Sequence, residues 1–276
     1  MSGYIDYKFE DSEEFINTFD EAPLWSAAFG LLLFKHLDLI PNIKIIDIGS
    51  GAGFPLMELA GRFGPSCKIY GIDPWLNANQ RVKQKIKQYG YQNVELFENS
   101  AETIPFENNS IDLIVSNLGI NNFENPGVVF KECHRVLKKG GKLAITTNLN
   151  GHWKEFYTIF YKTLEQLNKD GYIPFLKKDE EHRSSIESLR KLFQDNGFKV
   201  CKLHEEHLEM KFMDGTAFLN HHFIQLGWLT SWLTIFPKEE LTIIFSELER
   251  NLNVHAFNNS GLLLTVPMAY LEGLKE

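Results

Sequence analysis

The sequence predicts an α/β fold in which helices flank a doubly wound, mostly parallel sheet of seven strands. Two observations predict this fold. Short apolar runs alternate with helical patterns at close spacing through the first 150 residues, as in parallel strands joined by helical crossovers. The first of these runs, Ile43–Ile48, leads directly into a glycine-rich turn, as a buried strand does where it passes into a helix.

Seven segments have the character of strands. They are short, apolar or alternating, and most are bounded by glycine, proline or asparagine. The predicted strands are Ile43–Ile48, Cys67–Ile72, Val94–Phe97, Ile111–Ser116, Lys142–Thr147, Phe198–Leu208 and Gly261–Leu271.

Helical spacing of apolar residues occupies most of the remaining chain. The predicted helices are Asp11–Phe19, Pro23–Leu39, Phe54–Phe63, Asn77–Tyr89, Pro126–Leu137, His152–Asn168, Ser185–Asn196, Asp214–Trp232 and Pro237–Leu252. The segment Asp170–Arg183 is polar and is broken by Gly171 and Pro174, so we expect it to be irregular.

The regular alternation suggests how the chain is organised. Residues 41–150 form the predicted ligand-binding core, and residues 1–40 form an N-terminal helical cap segment. Residues 151–276 complete the same sheet and carry cap insertions at about 151–183 and 214–256. The insertions are rich in aromatic residues, which suits an apolar pocket above the carboxyl edge of the sheet. A phenylalanine-rich core or a homodimer interface would explain these aromatic residues as well.

Composition limits the classes of function. The formal net charge is −8, and nucleic-acid binding requires clustered basic residues, so a nucleic-acid partner is not expected. The longest apolar stretch, Ala27–Phe34, is too short to span a membrane, and the N-terminus lacks the pattern of a signal peptide. We therefore expect a cytoplasmic protein, in which the three cysteines are buried reduced thiols. The spacing of His204 and His207 does not suggest a metal site.

The glycine-rich turn carries the strongest pattern, in which an aspartate is followed by three glycines at alternate positions: Asp47-Ile48-Gly49-Ser50-Gly51-Ala52-Gly53. Glycines there allow a sharp turn and close approach of a ligand. A dinucleotide fingerprint would need its third glycine at Phe54 or Leu56, so it does not fit. A phosphate-binding P-loop fails as well, because no Gly-Lys-Ser or Gly-Lys-Thr follows.

With this turn, the sequence resembles the class I S-adenosylmethionine-dependent methyltransferases, closely over residues 43–149 and loosely over 185–271. The motifs that carry the resemblance are Asp47 to Gly53, Gly71-Ile72-Asp73, Ser100-Ala101-Glu102-Thr103-Ile104-Pro105-Phe106, Ser110 to Asn117, and Leu137-Lys138-Lys139-Gly140-Gly141. The resemblance implies a Rossmann-like methyltransferase fold. It also implies S-adenosyl-L-methionine as the cofactor and S-adenosyl-L-homocysteine as the product.

The resemblance also implies which residues bind the cofactor. They are Asp47, Gly49, Ser50, Gly51, Gly53, Asp73, Pro74, Trp75, Ser100, Ala101, Glu102 and Asn117. Asp73 holds the ribose hydroxyls, since a carboxylate offers two acceptor oxygens to a diol, and Asp47 orients the loop and acts toward the methionine ammonium. Ser100 replaces the aspartate that usually contacts the adenine amine. Asn117 either accepts from the cofactor's ammonium, lines the acceptor site, or is satisfied by its own loop.

No catalytic residue is identified from the sequence. His221, His222 and His152 are candidate general bases, although packed or surface histidines are the more common interpretation. Candidate walls of the acceptor pocket are Tyr7, Trp25, His221 and His222.

The predicted function is methyl transfer to a small-molecule acceptor at an oxygen, nitrogen or carbon atom. The branch that the sequence looks like includes the ubiquinone and menaquinone biosynthesis methyltransferases. Base-directed amino-methyltransferases usually carry Pro-Pro where Leu118-Gly119 follows Asn117, so the sequence argues against that class. An RNA or protein methyltransferase and a non-catalytic S-adenosylmethionine-binding module are the alternatives.

Overall fold

The structure is a computed structural model that describes residues 3–8, 11–20, 24–181 and 183–276, without the side chains of residues 18–20. Within these residues, seven strands form one sheet. The strands are β1 (Lys44–Ile48), β2 (Lys68–Ile72), β3 (Val94–Phe97), β4 (Ile111–Asn117), β5 (Leu137–Asn148), β6 (Phe198–Phe212) and β7 (Leu262–Lys275).

The order of the strands is β3-β2-β1-β4-β5-β7-β6. β1 pairs in parallel with β2 and with β4, and the parallel pairing continues outward to β3 and to β5. β7 runs antiparallel to β5, with Lys142 opposite Leu274 and Asn148 opposite Met268. The prediction of a doubly wound, mostly parallel sheet is therefore confirmed. The strand order reverses between β1 and β4, the place where open α/β sheets bind ligands.

Twelve α-helices lie in the described part of the chain. They are α1 (Glu13–Asp20), α2 (Leu24–His36), α3 (Leu56–Phe63), α4 (Leu76–Tyr89), α5 (Pro126–Val136), α6 (Lys154–Gln166), α7 (Ile173–Glu180), α8 (Ile186–Asp195), α9 (Gly215–Leu219), α10 (His222–Ile224), α11 (Thr230–Thr234) and α12 (Lys238–Asn258). Short 3₁₀ turns cover Gly3–Asp6, Gly119–Asn122 and Asp170–Tyr172.

Local sequence explains the helix and strand on which the site is built. β1 is an apolar run whose residues 45–48 are all buried, as expected of a central parallel strand. α4 ends where Gly90 adopts the left-handed conformation, a common helix stop.

Several predicted boundaries were wrong. α2 ends at His36 and not near Leu39, α3 begins at Leu56 and not at Phe54, and α5 ends at Val136. β5 begins at Leu137 and not at Lys142, because Leu137 already pairs with Ile111 of β4 ahead of an irregularity in the register. The predicted helix start at Pro23 lies outside the described residues.

Two segments differ in kind from the prediction. The polar segment Asp170–Arg183 contains α7, whose Pro174 lies in the first turn, where proline is tolerated. The predicted helix Asp214–Trp232 is divided into short pieces, α9, α10 and α11, with a π-helical turn at Gln225–Leu229. Asp214 caps the first piece by accepting a hydrogen bond from the Ala217 backbone amide at 2.8 Å.

The chain forms two compact units. The sheet unit consists of Asp11–Asn148, Ser185–Glu206 and Met268–Glu276. The helical unit consists of Met1–Glu10, Leu149–Ser184 and His207–Pro267. The sheet unit contains α2, and the helical unit has an aromatic core that includes Phe156, Phe218 and Trp232. The assignment of residues 1–40, 151–183 and 214–256 as a cap stays a prediction.

The cysteines depart in part from the prediction. Cys67 and Cys133 are buried, but Cys201 is exposed, so the expectation of three buried thiols was wrong. Cys201 lies on β6 at the edge of the sheet, where one side of the strand has no neighbouring strand to cover it. No helix within the described ranges is long and apolar enough to cross a membrane.

Candidate functional site

The glycine loop follows β1 at the point where the strand order reverses. Gly49 and Gly51 have φ angles of 73° and 48°, which favour glycine. A Cβ at Gly49 would lie 3.2 Å from the Gly119 Cα, so the backbone there is closely approached. A Cβ at Gly51 would meet no atom within 4 Å, so this turn of the loop borders open space. The loop therefore has room for a ligand beside Gly51.

Asp73 follows β2 and is fixed by backbone groups. Its Oδ2 accepts a hydrogen bond from the Gly51 amide at 2.8 Å, and its Oδ1 accepts one from the Trp75 amide at 2.8 Å. The Asn79 side chain donates to the Asp73 carbonyl oxygen at 2.8 Å. Each carboxylate oxygen has more than one acceptor site, so Asp73 can still receive two hydroxyl donors.

Asp47 lies in β1, beneath the same loop, and is completely buried. Neither carboxylate oxygen has a hydrogen-bond partner of good geometry among the described residues. Burial raises the pKa of Asp47 well above its usual value, the Asp73 carboxylate adds to this, and the Leu56 backbone amide offsets it only in part. Because its carboxyl is inaccessible, the structure does not place Asp47 in direct contact with a ligand beside the loop.

The residues after Asp73 are tied to the N-terminal segment. The Trp75 indole donates to the Asp11 carboxylate at 2.9 Å, and Asn77 donates to the same oxygen at 3.0 Å. Hydrogen bonds from Asn77 and Trp75 lower the pKa of Asp11. Pro74 is exposed. Sequence reasoning missed Asp11, because its partners lie 64 and 66 residues away in the chain.

The turn after β3 contains the next group of predicted site residues. Ser100 is exposed, and its hydroxyl accepts a hydrogen bond from the Glu102 amide at 3.2 Å. Ala101 is buried. The Glu102 carboxylate accepts from the backbone and side-chain amides of Asn125 at 3.2 and 3.1 Å. The side chain of Glu102 therefore holds the start of α5 against this turn.

Asn117 ends β4 and is bonded to two neighbouring elements. Its carbonyl oxygen accepts from the Thr146 hydroxyl at 2.7 Å, and its amide donates to the Ser26 carbonyl oxygen of α2 at 3.1 Å. Neither partner belongs to the loop that follows β4. The side chain of Asn117 therefore joins α2 and β5 to the carboxyl end of β4.

Two further asparagines, Asn121 and Asn148, are bonded to each other at the end of β5, the strand next to β4. Asn121 donates to the Asn148 side-chain oxygen at 2.8 Å and accepts from the Thr147 hydroxyl at 2.8 Å. The Asn148 amide nitrogen is buried and has no acceptor among the described residues. The polar run Thr146-Thr147-Asn148 at the end of an apolar strand was the sequence signal that could have identified this group.

The three candidate bases lie in the helical unit. His221 precedes α10 and is partly buried, its ring is stacked 4.6 Å from that of His222, and His222 is exposed. Burial and the neighbouring His222 lower the pKa of His221. His152 is buried against Trp153, with the ring centroids 4.2 Å apart. Burial, followed by the charge of Arg183, lowers the pKa of His152 well below its usual value.

The other two pocket candidates are in different units. Tyr7 is a partly buried residue of the helical unit, and burial raises its pKa. Trp25 belongs to α2 of the sheet unit and packs against Phe29, with ring centroids 5.0 Å apart. All the predicted cofactor residues, by contrast, lie in the sheet unit. The structure brings the aspartates and the glycine loop together there.

Comparison with known proteins decides the family. A family model described as a methyltransferase domain matches residues 46–145, from within β1 to within β5. The demethylmenaquinone methyltransferase of a Geobacillus species is 30% identical over 177 residues, which are 59% of this chain and 74% of that protein. The chain belongs to the class I S-adenosylmethionine-dependent methyltransferases.

Two further comparisons agree with this family. The methyltransferase is 26% identical to the demethylmenaquinone methyltransferase of Lactococcus lactis over 197 residues, 68% of this chain and 77% of that protein. These matches place it in the branch that includes the menaquinone methyltransferases. An S-adenosylmethionine-dependent methyltransferase from Aquifex aeolicus shares the fold, with a TM-score of 0.54 at 21% identity, over 71% of this chain and 92% of that chain.

The site suits the cofactor of this methyltransferase family. S-adenosylmethionine carries a sulfonium cation, a ribose diol and no phosphate. The loop contains no phosphate-binding lysine, Gly51 borders open space, and Asp73 presents acceptor oxygens beside it. The buried Asp47 lies beneath the loop and has no hydrogen-bond partner of good geometry among the described residues.

Proposed function

We propose that this methyltransferase binds S-adenosylmethionine with Asp47, Gly49, Ser50, Gly51, Gly53 and Asp73 and methylates a small-molecule acceptor. The observation that carries the cofactor part is the geometry of Asp73. Its carboxylate is held 2.8 Å from the Gly51 amide, at the border of the open space beside the loop. A bound ligand whose diol contacts Asp73 therefore lies against the glycine loop.

When bound, the cofactor supplies an electrophilic methyl group on a sulfonium. Asp73 accepts hydrogen bonds from the ribose hydroxyls, and its attachment to Gly51 and Trp75 keeps it from rotating away. Trp75 packs beside the adenine, and its ring is held there by the bond to Asp11. The turn at the far end of the adenine is formed by Ser100, Ala101 and Glu102. Pro74 and Asn117 complete the walls of the cofactor site.

The acceptor is the second part of the proposal. The relatives are named for demethylmenaquinone, and we propose that this chain acts on a small aromatic acceptor of the same kind. Methyl transfer is an in-line displacement, so most of the acceleration comes from holding the acceptor's nucleophile opposite the sulfur and from excluding water. A general base is needed only for an acceptor that is protonated at the working pH.

Titration calorimetry tests the cofactor site. We expect S-adenosylmethionine and S-adenosylhomocysteine to bind, and NAD not to bind. Asp73→Ala should weaken cofactor binding by roughly ten- to hundred-fold, because hydrogen bonds to a charged group contribute about 1.5–3 kcal/mol. The melting temperature without ligand should fall as well, since Asp73 also accepts from two backbone amides.

The control for this variant is Asp195→Ala, which removes an exposed carboxylate whose partner is Lys191 on the same helix. It should leave both cofactor affinity and stability close to those of the wild type. An unchanged dissociation constant in Asp73→Ala would place the ribose elsewhere.

A turnover assay tests the acceptor class. The purified protein is incubated with S-adenosylmethionine and demethylmenaquinone or a short-chain analogue, and S-adenosylhomocysteine is quantified. We expect product with the small acceptor. Product formed only with RNA or protein substrates would reject the small-molecule proposal.

The homodimer and the cytoplasmic location stay predictions. Light scattering on the purified protein tests the first, and cell fractionation tests the second.

A further inference from the structure

The long helix α12 has two faces of different character. Its buried face packs on α6 and α9. Its opposite face is exposed at each of five positions, Ile243, Ser246, Arg250, Val254 and Phe257, which we call the exposed stripe. The exposed fractions of its three apolar side chains are 54% for Ile243, 50% for Val254 and 89% for Phe257. Apolar side chains that recur along one exposed helix face indicate an interaction surface.

The exposed stripe is symmetric about Arg250. Ile243 and Phe257 lie seven residues before and after it, and Ser246 and Val254 lie four residues before and after it. At 1.5 Å per residue, the stripe from Ile243 to Phe257 is roughly 21 Å long. In a two-fold contact the same patch serves both subunits. A two-fold axis at Arg250 therefore brings Ile243 of one copy to Phe257 of a second copy, and Ser246 to Val254.

The shape of this face suits such a partner helix. A groove of about 490 Å³ lies along it, and its lining residues are Ser246, Glu249, Arg250, Asn253, Val254 and Phe257. The short side chains of Ser246 and Asn253 leave room for side chains of a facing helix, which can lie there as knobs in holes. Antiparallel packing sets the small Ser246 against the larger Val254, whereas parallel packing sets each residue against its own equivalent. The antiparallel arrangement therefore fills the contact better.

The charges of this face also suit a second copy of the chain. The chain carries a net charge of −8, so two copies repel each other unless the contact face is close to neutral. The Arg250 Nε donates to the Glu247 carboxylate at 2.9 Å, and a second guanidinium nitrogen donates to its other oxygen. Glu249 accepts from the Tyr4 hydroxyl at 2.8 Å and from the Thr216 hydroxyl at 2.7 Å. With the axis at Arg250, the two glutamate–arginine pairs lie side by side, so positive and negative groups alternate across the contact.

We infer that the exposed stripe of α12 is a homodimer interface, in which two copies pack antiparallel about a two-fold axis at Arg250. Ile243 packs against Phe257 of the second copy at both ends, and the Glu247–Arg250 pairs lie at the centre. One helix face buries less than the roughly 800 Å² per partner of a standard interface, so the dimer should dissociate on dilution. The inference gives the expected homodimer its interface. It does not depend on the cofactor site, whose residues belong to the sheet unit.

Sedimentation velocity over a dilution series tests this interface. The wild type should pass from dimer to monomer as it is diluted. Phe257→Glu should raise the dissociation constant of the dimer at least about ten-fold, because an aromatic anchor is lost at two symmetric contacts. The matched control is Phe175→Glu, the same change at an exposed phenylalanine of α7, which should dimerise as the wild type does.

An exchange of charges tests the antiparallel register. Ile243→Lys alone should weaken the dimer. The double variant Ile243→Lys with Phe257→Glu should regain a dimer that weakens with added salt, because each lysine then faces a glutamate of the second copy. Parallel packing would set equal charges against each other and give no rescue. Because both side chains are exposed, each monomer should remain folded, which circular dichroism checks.

Three results would overturn the inference. They are a wild type that is monomeric at every soluble concentration, a dimer that Phe257→Glu leaves unchanged, and the absence of rescue in the double variant. A monomeric wild type that co-sediments with phosphatidylglycerol vesicles would assign the exposed stripe to a lipid surface instead. S-adenosylmethionine should bind every α12 variant as it binds the wild type. Absence of cofactor binding with an intact dimer therefore rejects the proposed function only.

Discussion

Two aspartates beside one glycine loop have opposite environments. Asp73 accepts two backbone hydrogen bonds and is positioned to accept more, whereas Asp47 is buried without a hydrogen-bond partner of good geometry among the described residues. The first arrangement fixes the orientation of the Asp73 carboxylate beside the loop. The second raises the pKa of Asp47, which makes its negative charge costly in the unliganded fold.

Asp47→Asn should stabilise the unliganded protein at neutral pH. The folded pKa of Asp47 lies above its unfolded value of about 4. Such a group stabilises the fold below pH 4 and progressively loses that contribution as the pH rises toward the folded pKa. Urea unfolding at pH 7.5 should therefore show a higher midpoint for Asp47→Asn than for the wild type, and the difference should shrink at pH 3.5.

The same substitution should weaken cofactor binding, because it removes a negative charge beneath a site for a cation. Asp195→Asn, at the exposed end of α8, is the control and should change neither quantity. A lower midpoint for Asp47→Asn at pH 7.5 would show that the Asp47 carboxylate stabilises the unliganded fold.

At the scale of elements, α2 contacts both Phe54, which follows the glycine loop, and the edge strand β6. A Cβ at Gly30 would collide with the Phe54 ring, so the helix packs directly on the residue that follows the glycine loop. Near its start, the Ser26 carbonyl oxygen accepts from Asn117. At its end, the ring of His36 is stacked on that of His204 in β6, with centroids 3.6 Å apart and planes 6° apart.

This stacked pair is surrounded by charged and titratable groups. Lys35 pairs with Glu206 at 2.6 Å, and Lys202 donates to the His36 carbonyl oxygen at 3.0 Å. Tyr270 of β7 lies 5.5 Å from the His36 ring. Burial is the largest of the causes that lower the pKa of His36. The charges of His204, Lys35 and Lys202 lower it further, and only Glu206 raises it.

Acidification should therefore weaken the anchor of α2. The folded pKa of His36 is below the unfolded value of about 6.5, so the folded state binds fewer protons, and stability is lost as the pH falls below about 6.5. Hydrogen exchange of the α2 amides, corrected for the intrinsic rate, should accelerate from pH 7.5 to pH 5.5. His36→Phe keeps a flat ring without a charge and should reduce this pH dependence.

The matched control for His36→Phe is His207→Gln, an exposed histidine on β6. It should retain the pH dependence of the wild type. Equal pH dependence in His36→Phe and the wild type would assign the effect to other groups.

At the scale of the whole molecule, the net charge of −8 governs encounters with polyanions. Nucleic-acid binding draws most of its affinity from contacts between basic residues and phosphates. We therefore expect no retardation of tRNA or duplex DNA in gel-shift experiments at physiological salt. Retardation that disappears steeply with added salt would contradict this expectation and revive an RNA substrate.

Much of the fold and of the arrangement around the glycine loop was predictable because the relevant patterns are local. The strand β1, the glycine turn after it and Asp73 at the end of β2 are read from residues close together in the chain. The topology follows because short crossovers between parallel strands leave few arrangements. Helix ends and the division of the 214–234 segment were not predictable, because tertiary packing overrides weak local preferences there.

The sequence by itself determined the sheet and the position of the loop, through periodicity and spacing over short stretches, and the resemblance of its motifs to a known family implied the class of cofactor. Only the tertiary structure decided which side chains meet across long separations. Examples are Asp11 with Trp75 and His36 with His204. The same holds for what a side chain lacks, since the buried Nε of Arg183 has no hydrogen-bond acceptor within the described residues. Long-range partners depend on how elements pack, and the free energy of packing is not encoded in any single local pattern.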